Sequence, residues 1–281
     1  MARQTSPRKP VPWYVHIPVW LYAALLFLPL YFVVVSSLKD NLEIFGSPFK
    51  IPFSNPDWAN FQQAWDYASL GPALVNSLYI VSASLVLTLL LGLPAAYAIA
   101  RLKGRAGKVV EAVFSSGLLI PGFAALVPTV LLAIALGMFA SREFLILMFP
   151  AGAMPLSVIM LTQFMRTVPH ELEEAALLDG AGRMQILRHV YLPAVVPGVA
   201  TVSILNFLGF WNEFLFSLVL LGSSPTMRTI QVALPTLSTQ TRTDYGILMA
   251  GTLISIVPVY ILYIVLQKRL ESAMLEGAVK T

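Results

Sequence analysis

Long stretches without a charged side chain constrain this sequence more than any other feature. Apart from one acid in the fifth, six such stretches contain no Asp, Glu, Lys or Arg: 11–38, 67–100, 112–141, 144–165, 190–227 and 245–267. Each is long enough for the roughly 20 apolar residues of a helix that crosses a bilayer. Because the apolar residues run on rather than alternate, membrane strands are not a serious alternative. The sequence predicts six spans, at about 17–37, 74–100, 110–136, 144–166, 194–220 and 246–267.

The composition agrees with an all-α membrane protein. The 281 residues are 57% hydrophobic and 11% charged, whereas soluble domains carry about 25% charged residues. The absence of cysteine excludes disulfides, thiolate zinc sites and iron–sulfur clusters. The net charge of +4 does not indicate a nucleic-acid partner, because in a membrane chain the position of each positive residue matters more than their sum.

The distribution of lysine and arginine predicts that both termini lie in the cytoplasm. Thirteen of the 18 lie on the side of the N-terminus, and five lie on the other side, namely Lys39, Lys50, Arg142, Arg228 and Arg242. The first uncharged run follows Arg3, Arg8 and Lys9, as it also would in a cleavable signal peptide. We favour a retained anchor helix, since the run is too long for a signal peptide and lacks a convincing cleavage site.

The outer segment from Lys39 to about Pro72 is rich in proline and aromatic residues. Pro48, Pro52 and Pro56 rule out one long helix. The segment either packs over an outer opening or places its aromatic side chains in an interfacial belt. The sequence leaves both interpretations open.

The inner segment 166–193 has the pattern of a helical hairpin. Pro169 followed by three glutamates predicts a helix start, and Gly180 and Gly182 predict its end. The residues 183–191 fit a second short helix, and Pro193 opens the next span. From these residues alone, a docking surface for another protein and a capped linker both remain possible.

Specific residues of this hairpin resemble a known family. Glu174-Ala175-Ala176, three residues, Gly180, nine residues and Val190-Tyr191-Leu192-Pro193 resemble the EAA loop (E-A-A-x3-G-x9-I-x-L-P) of binding-protein-dependent ABC importer permeases. Val190 replaces the isoleucine. The sequences 95–101, 211–214 and 277–280 are similar to the carbohydrate subfamily, and the whole chain resembles the smaller, six-span subunit of the maltose-type pair. Ser141-Arg-Glu143 departs from the Asn-Thr usual near that outer turn.

The resemblance implies an architecture and a set of partners. It implies a type I ABC importer permease whose EAA coupling helix sits in a cleft of an ATPase subunit. The partners would be a second homologous permease, two ATPase subunits, an extracytoplasmic solute-binding protein, a sugar-like substrate and membrane lipid, with no nucleic acid. No G-x4-G-K-[S/T] loop occurs in this chain, so ATP and magnesium would be bound by the ATPases. This chain would have no catalytic residue, cofactor or metal of its own.

The resemblance also assigns roles and boundaries. The ATPase-coupling set would be Glu174, Ala175, Ala176, Asp179, Gly180, Leu192 and Pro193, with Glu174 meeting a basic partner and Gly180 making the tight turn. The chain would divide into a cytoplasmic N-terminal segment (1–12), a peripheral first helix (13–38), an extracytoplasmic loop (39–72), a five-helix permease core (73–267) that includes the coupling loop (166–193), and a cytoplasmic tail (268–281). The location would be a bacterial or archaeal inner membrane.

Glu213 is the acid that lies well inside a predicted span. Burying a carboxylate in a bilayer costs on the order of 2–3 kcal/mol, so it should face a cavity or a partner. On a continuous helix, Asn206, Phe210, Glu213 and Ser217 would share one stripe. With the neighbouring Trp211 and Asn212, these side chains suit a polyhydroxylated ligand. A polar clamp between helices is the alternative.

Three other functions compete with a sugar permease. An ion-coupled secondary transporter would show an inverted repeat and paired intramembrane charges, which are absent from the sequence. An intramembrane hydrolase needs a nucleophile and a base near each other, yet His16, His170 and His189 lie at span edges or in loops. An ABC permease for a non-sugar solute remains an alternative.

Overall fold

The computed structural model describes the backbone of residues 13–102, 104–222, 224–238 and 243–278, with side chains as far as residue 267. Within these ranges the regular structure is helical except for an isolated antiparallel bridge between Ser238 and Thr243. The predicted all-α fold is confirmed. The predicted N-terminal segment 1–12 and the last three residues of the predicted tail lie outside the described residues.

The α-helices of the described ranges are numbered in chain order. They are α1 (Ile17–Ser36), α2 (Asn41–Gly46), α3 (Ala59–Tyr67), α4 (Leu70–Arg101), α5 (Arg105–Gly117), α6 (Leu126–Ala135), α7 (Arg142–Arg166), α8 (His170–Leu178), α9 (Arg183–Ile186), α10 (Leu192–Ala194), α11 (Val196–Trp211), α12 (Leu215–Leu221), α13 (Ile230–Ala233) and α14 (Tyr245–Ala278). A π-helical turn (Leu187–Tyr191) joins α9 to α10.

Four helical segments of the described residues are long and apolar enough to cross a membrane: Trp13–Ser36, Leu70–Arg101, Arg142–Arg166 and Tyr245–Gln267. Two bent pairs pass the same test, Arg105–Gly117 with Gly122–Ala135 and Arg183–Ala194 with Val196–Trp211, which bend by 85° and 81°. Counting each pair as one span gives six, the number that the sequence predicts, although the second pair begins in the predicted coupling loop rather than at residue 194.

The third and fifth predicted spans are interrupted, and the continuous helix expected for the fifth is wrong. The third breaks after Gly117 and resumes at Gly122. Proline lacks a backbone N–H and ends a helix, which explains why Pro121 marks this break. The fifth span stops at Trp211 and resumes at Leu215. Hydropathy alone does not distinguish a broken span from a straight one.

By packing, the chain falls into two compact units. The first contains the described residues of Met1–Ala64 and Leu237–Ile254, and the second those of Trp65–Thr236 and Ser255–Thr281. In the first unit, Lys39 is buried and its Nζ donates to the carbonyls of Ser47 (2.7 Å) and Pro48 (3.3 Å). Asn60 Nδ2 donates to the Lys39 carbonyl at 3.0 Å. Burial lowers the pKa of the Lys39 ammonium. The segment that follows α1 is therefore folded around the buried Lys39 side chain.

The core of the second unit is built by α4, α7 and α11. The buried face of α4 carries small and hydroxylated residues at helical spacing, including Ala73, Ser77, Ser84, Thr88 and Gly92. Small residues let membrane helices approach closely without a cost in side-chain entropy. This face packs against α7, where Leu161 and Met165 are fully buried.

Polar contacts connect α7 to its neighbours near both of its ends. Arg142, the first residue of α7, donates from Nη1 to Asn76 Oδ1 of α4 at 2.9 Å. Arg166, the last residue, forms a bidentate pair with Glu111 of α5, with Nη1–Oε1 at 3.2 Å and Nη2–Oε2 at 2.8 Å. Bidentate arginine–carboxylate pairs fix orientation as well as distance. These contacts hold α7 in position between α4 and α5.

Candidate functional site

The hairpin formed by α8, the turn 179–182 and the second arm 183–191 begins and ends as the sequence predicts. Helix α8 starts at His170, directly after Pro169, with acids in its first turn. At its end, the Ala181 N–H donates to the Ala176 carbonyl (2.9 Å) and the Gly180 N–H to the Leu177 carbonyl (3.0 Å). This is a Schellman motif. Gly180 has φ +80°, a conformation that glycine adopts without strain.

The second arm is fixed at its start by a side chain. Gln185 Oε1 accepts the Gly182 N–H at 2.7 Å, which satisfies one of the free donors of a helix start. The arm continues through the π-turn and α10, and then bends by 81° into α11 at Val195. The arm therefore runs across the direction of α11 rather than along it.

The predicted coupling residues lie on the outer surface of the hairpin. Glu174, Ala175, Asp179, Gly180 and Pro193 are exposed, and Ala176 and Leu192 are half-buried. Between the two arms lies a hollow of about 360 Å³, with Ala176, Gly180, Ile186 and His189 in its lining. Leu178, next to the turn, is 90% exposed. The hairpin thus presents a small-residue surface, with apolar and acidic groups, that another protein can approach closely.

Glu173, the residue before the predicted coupling acid, is a functional candidate that the sequence analysis missed. It is 9% exposed. Its Oε1 accepts the Tyr97 hydroxyl at 3.0 Å and its Oε2 accepts the Tyr191 hydroxyl at 2.8 Å, while Arg101 Nε lies 2.6 Å from Oε2. We call Tyr97, Arg101, Glu173 and Tyr191 the Glu173 cluster.

The aromatic rings of the Glu173 cluster are also in contact with each other and with Arg101. The Tyr97 and Tyr191 rings meet edge to face with centroids 4.9 Å apart. The Arg101 guanidinium carbon lies 4.7 Å from the centre of the Tyr191 ring, within the range of a cation–π contact. The carboxylate is therefore paired with a cation and accepts one hydroxyl hydrogen bond at each oxygen, which offsets the cost of burying it. A hollow of about 570 Å³, lined by residues of α4 and of both hairpin arms, lies beside the cluster.

The predicted intramembrane stripe does not form, because the helix that would carry it ends at Trp211. Glu213 lies in the break, and its carboxylate accepts the N–H groups of Phe216 (2.7 Å) and Ser217 (2.9 Å) and the Ser217 hydroxyl (2.8 Å). A carboxylate at a helix start satisfies free donors and faces the positive end of the dipole. Glu213 therefore caps α12, and its side chain is half-buried.

The other predicted pathway residues contact their own helices, α7 or, in the case of Asn212, also Gln231 of α13. Asn206 Nδ2 donates to Ser157 Oγ of α7 at 2.8 Å, and the Phe210 ring stacks on Phe149 at 5.1 Å. Those contacts fit the polar-clamp alternative. Asn212 is exposed and its Nδ2 donates to the Leu208 carbonyl at 2.9 Å. The Trp211 ring stacks within α11, on Phe207. A role of these residues in substrate passage stays a prediction.

Comparison with known proteins places this architecture in a family. Residues 88–276 match the family described as "Binding-protein-dependent transport system inner membrane component". The chain belongs to that family. The predicted class of ABC importer permease is thereby confirmed, in place of the ion-coupled secondary transporter.

The alignments with similar curated proteins span most of this chain and most of each relative. The diacetylchitobiose uptake system permease protein NgcG of Streptomyces coelicolor is 35% identical over 263 residues, which is 93% of this chain and 87% of that protein. The sulfoquinovosyl glycerol transport system permease protein SmoH of Agrobacterium fabrum is 32% identical, over 90% and 88%. The melibiose/raffinose/stachyose import permease protein MelC of Bacillus subtilis is 31% identical, over 90% and 91%.

Solved structures share the fold at low sequence identity. A chain of a bacterial ABC transporter involved in the import of the acidic polysaccharide alginate superposes with a TM-score of 0.75 at 21% identity, over 92% of this chain and 99% of the other. A chain of the MetNI methionine ABC transporter superposes with a TM-score of 0.54 at 17% identity, over 73% and 95%. The predicted type I ABC importer permease architecture is confirmed.

Proposed function

We propose that this chain is one of two permease subunits that together enclose the pathway of an ABC importer for a sugar or a related polyol. The three relatives described above are named for a chitin disaccharide, a sulfoquinovosyl glycoside and the melibiose series, all of which are glycosides. One six-span chain supplies half of a pathway. The second half comes from a homologous permease, and the solute is delivered by an extracytoplasmic binding protein.

The observation that carries the coupling proposal is the exposed, tightly turned surface of the hairpin. Glu174 is exposed on α8, and the glycine turn brings both arms to one edge without a bulky side chain. An acidic side chain beside small residues fits a cleft with a basic lining, because opposite charges steer and align such contacts. The ATPase subunits bind ATP and magnesium and hydrolyse the nucleotide, while this chain performs no chemistry.

The fold alone does not choose the solute. A methionine importer shares it, so a non-sugar solute remains the second candidate. The ligand of the cognate binding protein decides between them, and a thermal-shift screen of that purified protein against sugars, polyols and amino acids identifies the ligand. A shift with amino acids and none with glycosides would contradict the sugar proposal.

The topology follows the positive charges. With both termini in the cytoplasm, the hairpin faces the compartment that holds ATP. Single cysteines introduced at the exposed positions Leu178 and Phe53 test this arrangement with a membrane-impermeant thiol reagent on intact cells, since the chain has no cysteine of its own. Labelling is expected at position 53 only, and labelling at 178 would contradict the topology.

The coupling role has a direct test. Replacing Glu174 with Arg is expected to abolish solute uptake and detach the ATPase subunits during purification, while membrane insertion remains normal. Glu171→Arg is the matched control, because Glu171 is an exposed acid of the same helix outside the predicted coupling set. Normal uptake by the Glu174 variant, with ATPases attached, would contradict the proposal.

A further inference from the structure

The Glu173 cluster joins three segments that are distant in the sequence. Tyr97 and Arg101 lie at the end of α4, Glu173 lies in α8, and Tyr191 ends the π-turn of the second arm. Glu173 is 76 residues from Tyr97 and 18 from Tyr191. One carboxylate therefore connects both arms of the hairpin to the long helix that packs at the centre of this unit.

The two carboxylate oxygens have separate duties. Oε1 receives the hydroxyl of Tyr97, and Oε2 receives the hydroxyl of Tyr191 and faces Arg101. Tyr191 is fully buried and Tyr97 nearly so. Removing the carboxylate would leave two buried hydroxyls and a cation without their acceptor, which costs far more than losing an exposed contact.

Glu173 and Glu174 are adjacent on α8 and lie on different sides of the helix. Glu173 is buried in its cluster, whereas Glu174 is exposed on the surface proposed to meet the ATPase. Successive residues on a helix are rotated by about 100°, so the outer face of α8 and the cluster lie on different sides of one rigid rod. A force applied at the outer face reaches α4 through the side chain of Glu173.

We infer that Glu173 is a positioning residue that fixes both hairpin arms to the C-terminal end of α4, so that hairpin and helix move as one body when the ATPases close. This inference rests on the proposed function. Without Glu173, the second arm and α4 would keep the cation–π contact of Arg101 with Tyr191 and the apolar cluster around Tyr97 and Tyr191. They would lose the carboxylate that both hydroxyls share.

A distance measurement on the complete importer in lipid nanodiscs tests whether the body is rigid. Two cysteines, His170→Cys in α8 and Val75→Cys near the start of α4, carry spin labels. Both positions are exposed. Val75 lies about 39 Å along α4 from Arg101, which contacts the hairpin, so the two labels are separated by a distance suited to pulsed spin-label measurements. In a cysteine-free background of the partner subunits, these are the sole labelled sites.

With Glu173 present, the distance distribution between the two labels should be narrow and the same in the nucleotide-free and ATP-bound states. With Glu173→Ala, the distribution should broaden or shift on ATP binding. A wild-type distance that changes with nucleotide would overturn the inference, as would an unchanged narrow distance in the Ala variant.

Transport measurements supply a second readout in proteoliposomes. Glu173→Ala should lower the solute transported per ATP hydrolysed by about fivefold or more, with the ATPases still attached. Glu173→Gln should lose less, because its amide oxygen still accepts a hydroxyl. Glu171→Gln is the control at an exposed acid on the same helix, and equal ratios in the Ala variant and this control would overturn the inference.

Two further outcomes separate the possible failures. If Glu173→Ala does not fold, Glu173→Gln and Tyr191→Phe carry the same test, since each keeps most of the packing. If the wild-type complex shows no ATP-driven uptake while its hairpin-to-α4 distance stays fixed, the proposed function fails and the rigid connection stands.

Discussion

Glu173 and Glu213 are both shielded carboxylates in the same unit, yet they do different structural work. Every hydrogen bond that Glu213 accepts comes from Phe216 or Ser217, within four residues. Glu173 accepts from Tyr97 and Tyr191, which are 76 and 18 residues away, and pairs with Arg101. A carboxylate with local partners shapes one turn, whereas one with distant partners joins elements of the fold.

This contrast gives Glu173 a structural role that the sequence did not suggest. Glu213 attracted attention because an acid inside an apolar run is rare. Glu173 stands among other acids in a polar segment, where an acid is expected. The partners of a charge indicate its importance better than the hydrophobicity of its surroundings.

The largest effect is expected for Arg101→Ala, because it leaves Glu173 buried without its cation. The side chains of the pair are only 18% and 12% exposed, and removing one member of a buried pair costs about 3 kcal/mol. The unfolding free energy, measured by titration with SDS in mixed micelles, should fall by that amount. Arg188→Ala, at an exposed arginine of the second arm, is the control, and equal losses would show that the pair is not special.

Tyr97→Phe should have an intermediate effect. It removes the donor to Oε1 and keeps the ring, so the buried oxygen loses its partner at a cost of about 1.5 kcal/mol. In a double variant with Glu173→Ala, the two losses should not add, because both remove the same contact. Additive losses in the SDS titration would mean that this hydrogen bond does not operate.

Glu213→Ala should cost least, about 1 kcal/mol, which is the usual loss when a helix cap is removed. Uptake should fall only in proportion to the lost stability. A large loss of uptake with unchanged stability would instead show that this carboxylate faces the solute, and would narrow the difference between the two acids.

Much of the fold could be predicted because charge and proline mark its boundaries. Arg101, Arg142 and Arg166 bound uncharged runs, and α4 and α7 begin or end at these residues. Pro169 and Gly180 bracket α8 because a proline without an N–H suits a helix start and a left-handed backbone suits glycine. These are local rules that need no knowledge of the partner elements.

The break of the fifth span and the Glu173 cluster could not be obtained in the same way. Length and apolarity are the same for a bent and a straight span, so the stop at Trp211 left no mark that a hydropathy argument detects. For the cluster a partial signal existed, since Tyr97 and Arg101 are four residues apart and so share a face of α4. No local signal indicates which of the glutamates of α8 contacts that face.

Because of the bend at Val195, the second arm of the hairpin projects sideways from the axis of α11. The segment Arg183–Ala194 leaves that helix at 81° and, with twelve residues at helical rise, extends for about 18 Å. A sideways displacement of its far end by one helical pitch, about 5.4 Å, corresponds to a turn of α11 by about 17° around its own axis. If the arm continued straight from α11, the same displacement would tilt α11. With the bend, a lateral pull on the arm rotates α11 around its axis instead.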